Sequence, residues 1–501
     1  MEQLPDDVLA MAMSHLSVKD LLACRLVCKR LAGLAQHPDV WRHRSITVHV
    51  DAGPMSCQEL RLAPCAREIW TSVPEAPAAC RHGDLRTTSC AASELAIVVL
   101  DVGLEHVAKA VRIVKQQVAL GRLRGVSLRL SDSSVVLHSF ILPEDAIDLL
   151  FWTLASTPGL EMASLGGDLG KRTRVPPGTG QRGTITPSLK TFSCDVVPRP
   201  EHFCDYMLAG HAATLEVVHF IRSVVFSGAQ IAAPLTSPST ARLLAGMPKL
   251  RVLSCPLMPG LGELAACASL RELDLTARRS TQADGQGALE LLRHALQIRS
   301  LRLHFPLPHD DDDGVDGSEF GAELISELTS SGRSQVETLS IDVMDSQTLL
   351  VPHLAVRLPS LPALRHLVLR VVDPAPLVDA ISPLTAPALR RVQILDDYSA
   401  SRMCSHEFLH SRALDALLSR NPLLHVEVEY TSFGEYENTE LNEDYDDQCK
   451  ACQLNCHKEL EEDNGGFVGV FAHPTGKCPS PEDHARSDCQ WIQINDVQPK
   501  Y

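Results

Sequence analysis

The chain has 501 residues, 45% apolar and 22% charged, so it is long enough for several ordinary domains or for one small domain followed by a repeat array. Its formal net charge of −16 argues against nucleic acid or an anionic membrane as the main partner, because both require a basic surface. No stretch predicts a bilayer-spanning helix, and Met1–Gln3 lack the basic start of a signal peptide, so we expect a cytoplasmic or nuclear protein.

The residues from Leu4 to Trp41 predict a set of short helices. Pro5 is tolerated at a helix start, where its missing N–H would have no partner, and acidic residues follow in the first turn. Ser17 is a good N-cap for a second helix with apolar residues at helical spacing. A unit of about forty residues rarely buries enough apolar surface to fold alone. We therefore expect part of this surface to be an interface.

This segment resembles the F-box, which is marked by an initial Leu-Pro, a leucine-rich second helix, a Val-Cys-Lys/Arg run and a late Trp. The residues that carry the resemblance are Leu4, Pro5, Leu21, Leu22, Val27, Cys28, Lys29, Arg30 and Trp41. The segment departs from the pattern at Ala10–Met13, where the family often has Ile or Phe, and at Leu31, where Trp is common. Both departures keep the position apolar.

The resemblance assigns residues 1–45 to an F-box and implies docking on the Skp-type adaptor of a cullin-based ubiquitin ligase. The residues expected to bind the adaptor are Leu4, Pro5, Leu9, Leu16, Leu21, Leu22, Val27, Cys28 and Trp41.

Residues 46–92 give a weaker signal. Ile46, Val48 and Val50 alternate with polar residues and predict a strand that leaves the F-box. The following stretch is rich in Pro, Ala and Cys and has no clear period. It is predicted to be either a connector or an irregular first repeat.

Residues 93–430 contain a recurring apolar signature, loosely Leu-x-x-Leu-x-Leu. Its clearest copies begin at Leu123, Leu215, Leu270, Ile298, Val336, Leu364 and Leu389, and weaker copies begin at Leu189 and Leu250. Stretches with helical spacing lie between the copies, such as Leu289, Leu292 and Leu296.

A strand and a helix in each repeat resemble a leucine-rich-repeat solenoid, in which stacked units share a continuous core and curve into a horseshoe. The Asn or Cys that usually follows the strand is mostly missing, and Arg278 and Val372 occupy that place in two copies. The expected fold class is α/β: an N-terminal three-helix F-box, an irregular leucine-rich-repeat solenoid and a small Cys/His-rich tail. The alternative for the middle part is a generic α/β domain with parallel strands.

The predicted target-binding surface is the concave strand face of this solenoid, because repeat proteins bind partners there. The solvent-facing positions between the strand leucines are Arg271, Glu272, Asp274, Arg302, His304, Arg365, His366 and Arg370. A basic loop at Gly166–Gly183 and an acidic loop at Asp310–Asp313 are further candidates for substrate contact.

The tail changes composition after an acidic linker at residues 431–448. The protein has 16 cysteines, which are expected to be free thiols or metal ligands rather than disulfides. In residues 449–501, Cys449 and Cys452 have zinc-knuckle spacing, and His473 and Cys478 supply a second pair. We expect these four to bind a structural zinc ion, with Cys456, His457, His484 and Cys489 as nearby alternatives. The other interpretation is a loose tail with unliganded thiols.

One enzyme motif requires comment. The run from His406 to His410 matches the HExxH pattern of zinc proteases, with Glu407 as the base. A third histidine at metzincin spacing is absent, and Phe408 and Leu409 begin an apolar helix face. We therefore predict a repeat helix rather than a metallohydrolase, and no catalytic residues.

The sequence favours a non-catalytic substrate receptor of a Skp–cullin–F-box ubiquitin ligase. The F-box would dock on the adaptor and the repeats would bind a target protein, with no nucleic-acid or membrane partner. The alternative function is a leucine-rich scaffold outside any ligase.

Overall fold

The computed structural model describes residues 4–48, 54–73, 84–100, 104–131, 144–168, 185–197, 201–220, 237–277, 282–305, 317–343, 350–371, 374–395, 408–430, 466–474, 476–478, 480–481, 484 and 489–494. Within these ranges no helix is long and apolar enough to cross a membrane. The chain forms two compact units, Met1–Leu250 and Arg251–Tyr501.

The first unit begins with four short helices and continues with alternating strands and helices. The helices are α1 (Asp6–Ser14), α2 (Val18–Val27), α3 (Lys29–Leu34), α4 (Pro38–Trp41), α5 (Pro54–Leu62), α6 (Leu104–Ala119), α7 (Glu144–Ser156), α8 (Glu201–His211) and α9 (Pro238–Ala245). The strands are β1 (Ser45–Val48), β2 (Cys65–Val73), β3 (Ala91–Leu100), β4 (Gly125–Ser131), β5 (Met162–Asp168), β6 (Thr191–Val197) and β7 (Val217–His219).

Strands β1 to β7 pair in sequence order, and every pair is parallel. One face of this ladder is apolar because alternate side chains point to opposite faces of a strand. A single buried register row crosses it through Ile69, Leu95, Val126, Ala163, Phe192 and Val218. The connector predicted at 46–92 thus contains β1 and β2 and the start of β3.

The second unit also alternates strands and helices, and near its end one strand runs antiparallel to the others. Its helices are α10 (Gln282–His294), α11 (Gly317–Ser330), α12 (Leu350–Arg357), α13 (Ala375–Ala380) and α14 (Arg412–Arg420), with 3-10 turns at Leu261–Ala266 and Leu358–Ser360. Its strands are β8 (Val252–Pro256), β9 (Glu272–Thr276), β10 (Ser300–Phe305), β11 (Thr338–Val343), β12 (His366–Arg370), β13 (Arg391–Leu395), β14 (His425–Tyr430), β15 (Gly466–Phe471) and β16 (Cys489–Gln493).

Strands β8 to β14 are parallel and in sequence order. Strand β15 then runs antiparallel to β14, and β16 is parallel to β15. One buried row of this ladder is Leu253, Leu273, Leu301, Leu339, Leu367, Val392 and Val426, and a second, two residues further along each strand, begins at Cys255 and Leu275. Helices α10 to α14 pack in succession, so each strand–helix pair buries its apolar side against its neighbours.

The strand positions predicted from the repeated signature are confirmed, because every copy leads into one of these parallel strands. The apolar face predicted to begin at Phe408 and Leu409 is confirmed: both are buried, and so are Leu414, Leu417 and Leu418 of α14. The face predicted at Leu289, Leu292 and Leu296 is only partly correct. Leu292 is buried, but Leu289 is half-buried, and Leu296, which lies beyond the end of α10, is 42% exposed.

Polar side chains at or near the ends of helices form hydrogen bonds with the backbone that leads into the strands. In the first unit, Gln117 accepts a hydrogen bond from the Ala92 N–H (2.9 Å) and donates to the Cys90 carbonyl (3.1 Å). His211 Nδ1 accepts from the N–H groups of Ser188 (3.1 Å) and Leu189 (3.3 Å). Both side chains satisfy the backbone that leads into the strand of their own repeat.

The second unit uses amide donors for the same purpose. Gln297 Nε2 donates to the carbonyls of Ala265 (3.2 Å) and Cys267 (3.1 Å), just before β9. Asn421 Nδ2 donates to the Ile381 carbonyl (3.2 Å), in the turn between α13 and β13. Unsatisfied buried backbone groups are costly, so these contacts stabilise the turns that precede the strands.

Candidate functional site

The N-terminal helices have a small core of their own. Leu9 and Met13 of α1 are buried with Leu21 of α2 and Trp41 of α4, and α1 packs against α3 and α4. The Trp41 indole N–H donates to the Ala35 carbonyl (2.7 Å), which satisfies the polar atom of a ring that is 1% exposed. Ser17 caps α2 as predicted, accepting from the Asp20 N–H (3.2 Å).

Arg44 holds this core together, and the sequence did not single it out. Its guanidinium donates to the carbonyls of Met13 (3.0 Å), Ser14 (3.0 Å) and Leu16 (2.6 Å) at the end of α1. It also lies 5.6 Å from the ring centroid of Trp41, within the range of a cation–π contact. Desolvation lowers the pKa of Arg44 from its ordinary value, an effect that the Glu59 carboxylate opposes. The Arg44 guanidinium thus joins the C-terminal end of α1 to α4.

Arg30 joins the start of α3 to the start of α1. Its side chain pairs with the Asp6 carboxylate at 2.7 Å and donates to the Leu4 carbonyl. Cys28 caps α3 through its sulfur, which accepts from the Leu31 N–H at 3.5 Å. These contacts place the end of α2 beside the start of α1.

An apolar surface remains on this edge of the helices, and we name it the N-terminal apolar patch. The exposed fractions of its members are 44% for Leu4, 37% for Val8, 61% for Met11, 89% for Leu26 and 69% for Val27. Ten large apolar residues are strongly exposed in the described part of the chain, and these five are half of them. Such a concentration of apolar surface marks an interaction site.

The predicted adaptor-binding residues fall into three groups. Leu4, Pro5, Val27 and Cys28 are exposed, whereas Leu16 and Leu22 are half-buried. Leu9, Leu21 and Trp41 are at most 5% exposed, so they support the helices from inside. The sequence reasoning left Met11 and Leu26 out of the predicted contacts, because periodicity identifies apolar positions but does not show which of them a small helical unit leaves in solvent.

The outward face of the second unit carries two rows of charged side chains, each aligned by the strand register. In the first row, Arg302 Nη1 of β10 lies 3.5 Å from the Asp274 carboxylate of β9. In the second row, Asp342 of β11 lies between His304 (3.1 Å) and Arg370 (3.7 Å). We call these residues the charged strand rows.

The predicted target-binding residues are therefore only partly solvent-facing. Glu272, Arg302 and Arg365 are exposed, and Asp274, His304, His366 and Arg370 are half-buried. Arg271 is exposed, but its guanidinium donates to the carbonyls of Ala268 (2.7 Å) and Leu270 (3.0 Å). Most of the basic loop at 166–183 and the whole acidic loop at 310–313 lie outside the described residues.

The predicted zinc ligands are described in part. Cys449 and Cys452 lie outside the described residues, as do the alternatives Cys456 and His457. His473 and Cys478 do approach each other, and they form a compact group with His425 and His484. His425 was not predicted, because the first residue of a repeat strand gave no sign of contact with the tail.

The HExxH motif is also described only in part. His406 and Glu407 lie outside the described residues, while His410 is half-buried after a short helical turn. Desolvation lowers the pKa of His410.

Comparison with protein families identifies the N-terminal helices. A family model described as F-box-like matches residues 1–47, which includes α1 to α4 and the start of β1. No curated protein matches the chain. The chain therefore carries an N-terminal F-box-like domain followed by a mixed α/β region with long runs of parallel strands. F-box proteins in general are non-catalytic and bind Skp-type adaptors.

Proposed function

We propose that this chain is the substrate-recognition subunit of a Skp–cullin–F-box E3 ubiquitin ligase. The observation that carries the proposal is the N-terminal apolar patch on the F-box-like helices. Fully burying a Leu or Val side chain contributes about 1.5–3 kcal/mol, so covering Met11, Leu26 and Val27 would contribute favourably to an interface and offset part of the cost of association. The core of the helices is formed by other residues, so these exposed side chains are available to a partner.

The partner that fits this patch is a Skp-type adaptor, through which the chain would join a cullin ligase. The chain itself would make and break no bond. Ubiquitination would be accelerated because a bound target lysine is held near a ubiquitin-charged enzyme, which raises the effective concentration of the reacting groups.

We further propose that β3 to β14 and their helices form a leucine-rich-repeat solenoid that binds the target protein. Parallel strands in sequence order, a helix or 3-10 turn after most of the described strands and aligned rows of buried leucines support this interpretation. The charged strand rows would then contact the target, since they place Arg302 and the His304–Asp342–Arg370 group on the face away from the helices.

The experiment that tests the ligase proposal measures adaptor binding to the full-length chain. The variant Leu26→Asp/Val27→Asp adds two charges to the N-terminal apolar patch, where both side chains are already exposed, so folding is unaffected. We expect at least a hundredfold loss of affinity for a purified Skp-type adaptor by calorimetry. The matched control, Val356→Asp/Leu384→Asp, changes side chains that are 77% and 91% exposed in the second unit and leaves affinity unchanged.

Two results would contradict the proposal. If the wild-type chain binds no Skp-type adaptor, the chain acts outside a ligase and the scaffold function gains support. If both double variants bind as tightly as the wild type, the adaptor does not use the N-terminal apolar patch.

A further inference from the structure

The last parallel strand begins with a buried histidine that contacts the C-terminal segment. His425 opens β14 and is fully buried, and β15 pairs antiparallel with β14 so that His425 lies opposite Phe471. The chain continues from β15 through His473, which is 2% exposed, to Cys478. The fold therefore brings together residues about fifty positions apart.

The polar atoms of these residues converge on one point. His425 Nε2 lies 3.0 Å from His473 Nε2 and 3.4 Å from Cys478 Sγ. With His484 included, one potential ligand atom from each of the four residues lies within 4.8 Å of the others. A tetrahedral zinc ion with bonds of about 2.0–2.3 Å holds its ligands about 3.3–3.8 Å apart. The observed spacing is close to that of a zinc site.

Hydrogen bonding within the described residues does not account for one buried atom of His473. His473 Nδ1 is buried and has no hydrogen-bond partner among them, and buried polar atoms are normally satisfied. The nearest buried carboxylate on the same strand face, Glu427, is paired with Arg391 at 3.2 Å. A cation shared by the imidazoles and the thiolate would offset the cost of removing them from water.

Aromatic rings pack against the group and shield part of it from solvent, while Cys478 and His484 remain half-buried. Phe471 stacks on His473 with ring centroids 4.7 Å apart, and Trp491 of β16 lies 4.9 Å from His425 and 4.7 Å from His484. Gly469 allows this arrangement because the indole of Trp491 lies directly over it, where a β-carbon would collide with the ring. The rings are thereby held in fixed orientations, as a structural metal site requires.

We propose that His425, His473, Cys478 and His484 form a structural zinc site that fastens the C-terminal segment to the last parallel strand. Three imidazoles and one thiolate suit zinc better than the oxygen-preferring cations. Four protein ligands leave no open position for a substrate, so the site is structural. The fastened C-terminal segment would cover the edge of β14, which would otherwise be open to pairing with a strand of another chain.

This ligand set differs from the one predicted by spacing alone, since it replaces Cys449 and Cys452 by His425 and His484. The first test measures the zinc content of the full-length chain by mass spectrometry after purification without added metal. We expect about one zinc per chain, lost in His473→Ala and retained in the control His15→Ala, which changes an exposed histidine of the F-box-like domain. A wild-type chain with no zinc, or with another metal in its place, overturns the proposal.

The second test identifies the thiolate without relying on stability. Cobalt replaces zinc in such sites, and a bound thiolate adds a charge-transfer band to the tetrahedral cobalt spectrum. The proposal expects Cys478→Ser to lose that band and Cys449→Ser/Cys452→Ser to keep it. Any other pattern overturns the ligand assignment, including the reverse pattern that spacing alone would predict.

Discussion

In the first unit a register row through Ser127, Ser164 and Ser193 carries small neutral side chains, whereas the second unit pairs Asp274 with Arg302 in its strand rows. Both ladders are built on aligned rows of buried apolar residues. The difference therefore lies in the outward positions, which the core leaves free to vary.

The units also differ in the exposure of side chains in their terminal segments. The first unit leaves apolar residues exposed on α1 and α2, as at Met11 and Leu26. The second unit buries polar residues at its last strand, as at His425 and Glu427. Exposed apolar surface supports a protein partner, and buried imidazoles beside a thiolate support a metal. The comparison therefore assigns the proposed adaptor-binding surface to the first unit and the proposed metal site to the second.

The largest expected effect on stability is at Leu21 of α2, and Leu26 of the same helix serves as its comparison. Leu21 is 1% exposed and Leu26 is 89% exposed. Leu21→Asp would bury a charge in the F-box-like core and cost at least about 3 kcal/mol, whereas Leu26→Asp should change the free energy of unfolding by less than about 0.5 kcal/mol. Hydrogen exchange of peptides within residues 4–48 measures both.

Adaptor binding should be lost in both variants, but for different reasons. Leu21→Asp should lose exchange protection together with binding, while Leu26→Asp should keep its protection. If Leu21→Asp remains as protected as the wild type, the assignment of Leu21 to the core is wrong.

The second effect concerns the polar side chains that stabilise the turns. His211 is 4% exposed, and desolvation by burial lowers its pKa from 6.5 to about 4. Its Nδ1 atom accepts hydrogen bonds from the N–H groups of Ser188 and Leu189. The unfolded chain binds this proton more readily, so the stabilisation is complete above about pH 6.5 and is lost as the pH falls toward 4. The loss should approach about 3 kcal/mol in the first unit.

The measurement compares the wild type with His211→Gln by urea unfolding between pH 7 and pH 4. The difference between their free energies of unfolding should change across this range, because glutamine does not titrate. Exchange of residues 185–197 localises the change to the first unit. The corresponding amide in the second unit, Gln297, provides a site without pH dependence. A constant difference between the two proteins would mean that His211 is not held neutral.

Sequence periodicity predicted the strands well because each copy of the Leu-x-x-Leu-x-Leu signature supplies the alternating buried residues of one strand. Periodicity did not locate the F-box-like domain, which was recognised from a motif that includes Pro5, Val27 and Trp41. It did not predict the contacts of Arg44 or His425, because those side chains reach partners that are distant in the sequence. Exposure was also missed: Leu21 and Leu26 are equally apolar, and only the packing of α2 against its neighbours distinguishes them.

A third, smaller effect tests the packing of the C-terminal segment. Gly469→Ala would force the Trp491 ring away from its place over the strand, with an expected cost of about 1–3 kcal/mol. The cost should be smaller in a Trp491→Leu background, because the two positions are in contact and their effects are not additive. Thermal unfolding of the four proteins gives the interaction energy. Equal costs in both backgrounds would show that Trp491 does not lie over Gly469 in solution.

The smallest effect on stability, and the most specific for function, is expected at Arg302. Its side chain is 52% exposed and its pair with Asp274 is worth at most about 1 kcal/mol, so Arg302→Glu should leave the second unit folded and adaptor affinity unchanged. Target binding should fall, and more so at low salt, because long-range attraction between exposed charges is screened by ions. The charge swap Asp274→Arg/Arg302→Glu restores the pair but reverses the pattern presented to a partner. If the charged strand rows bind the target, the swap should recover stability without recovering binding, measured on targets captured by the full-length chain; recovery of both would assign the pair a purely structural role.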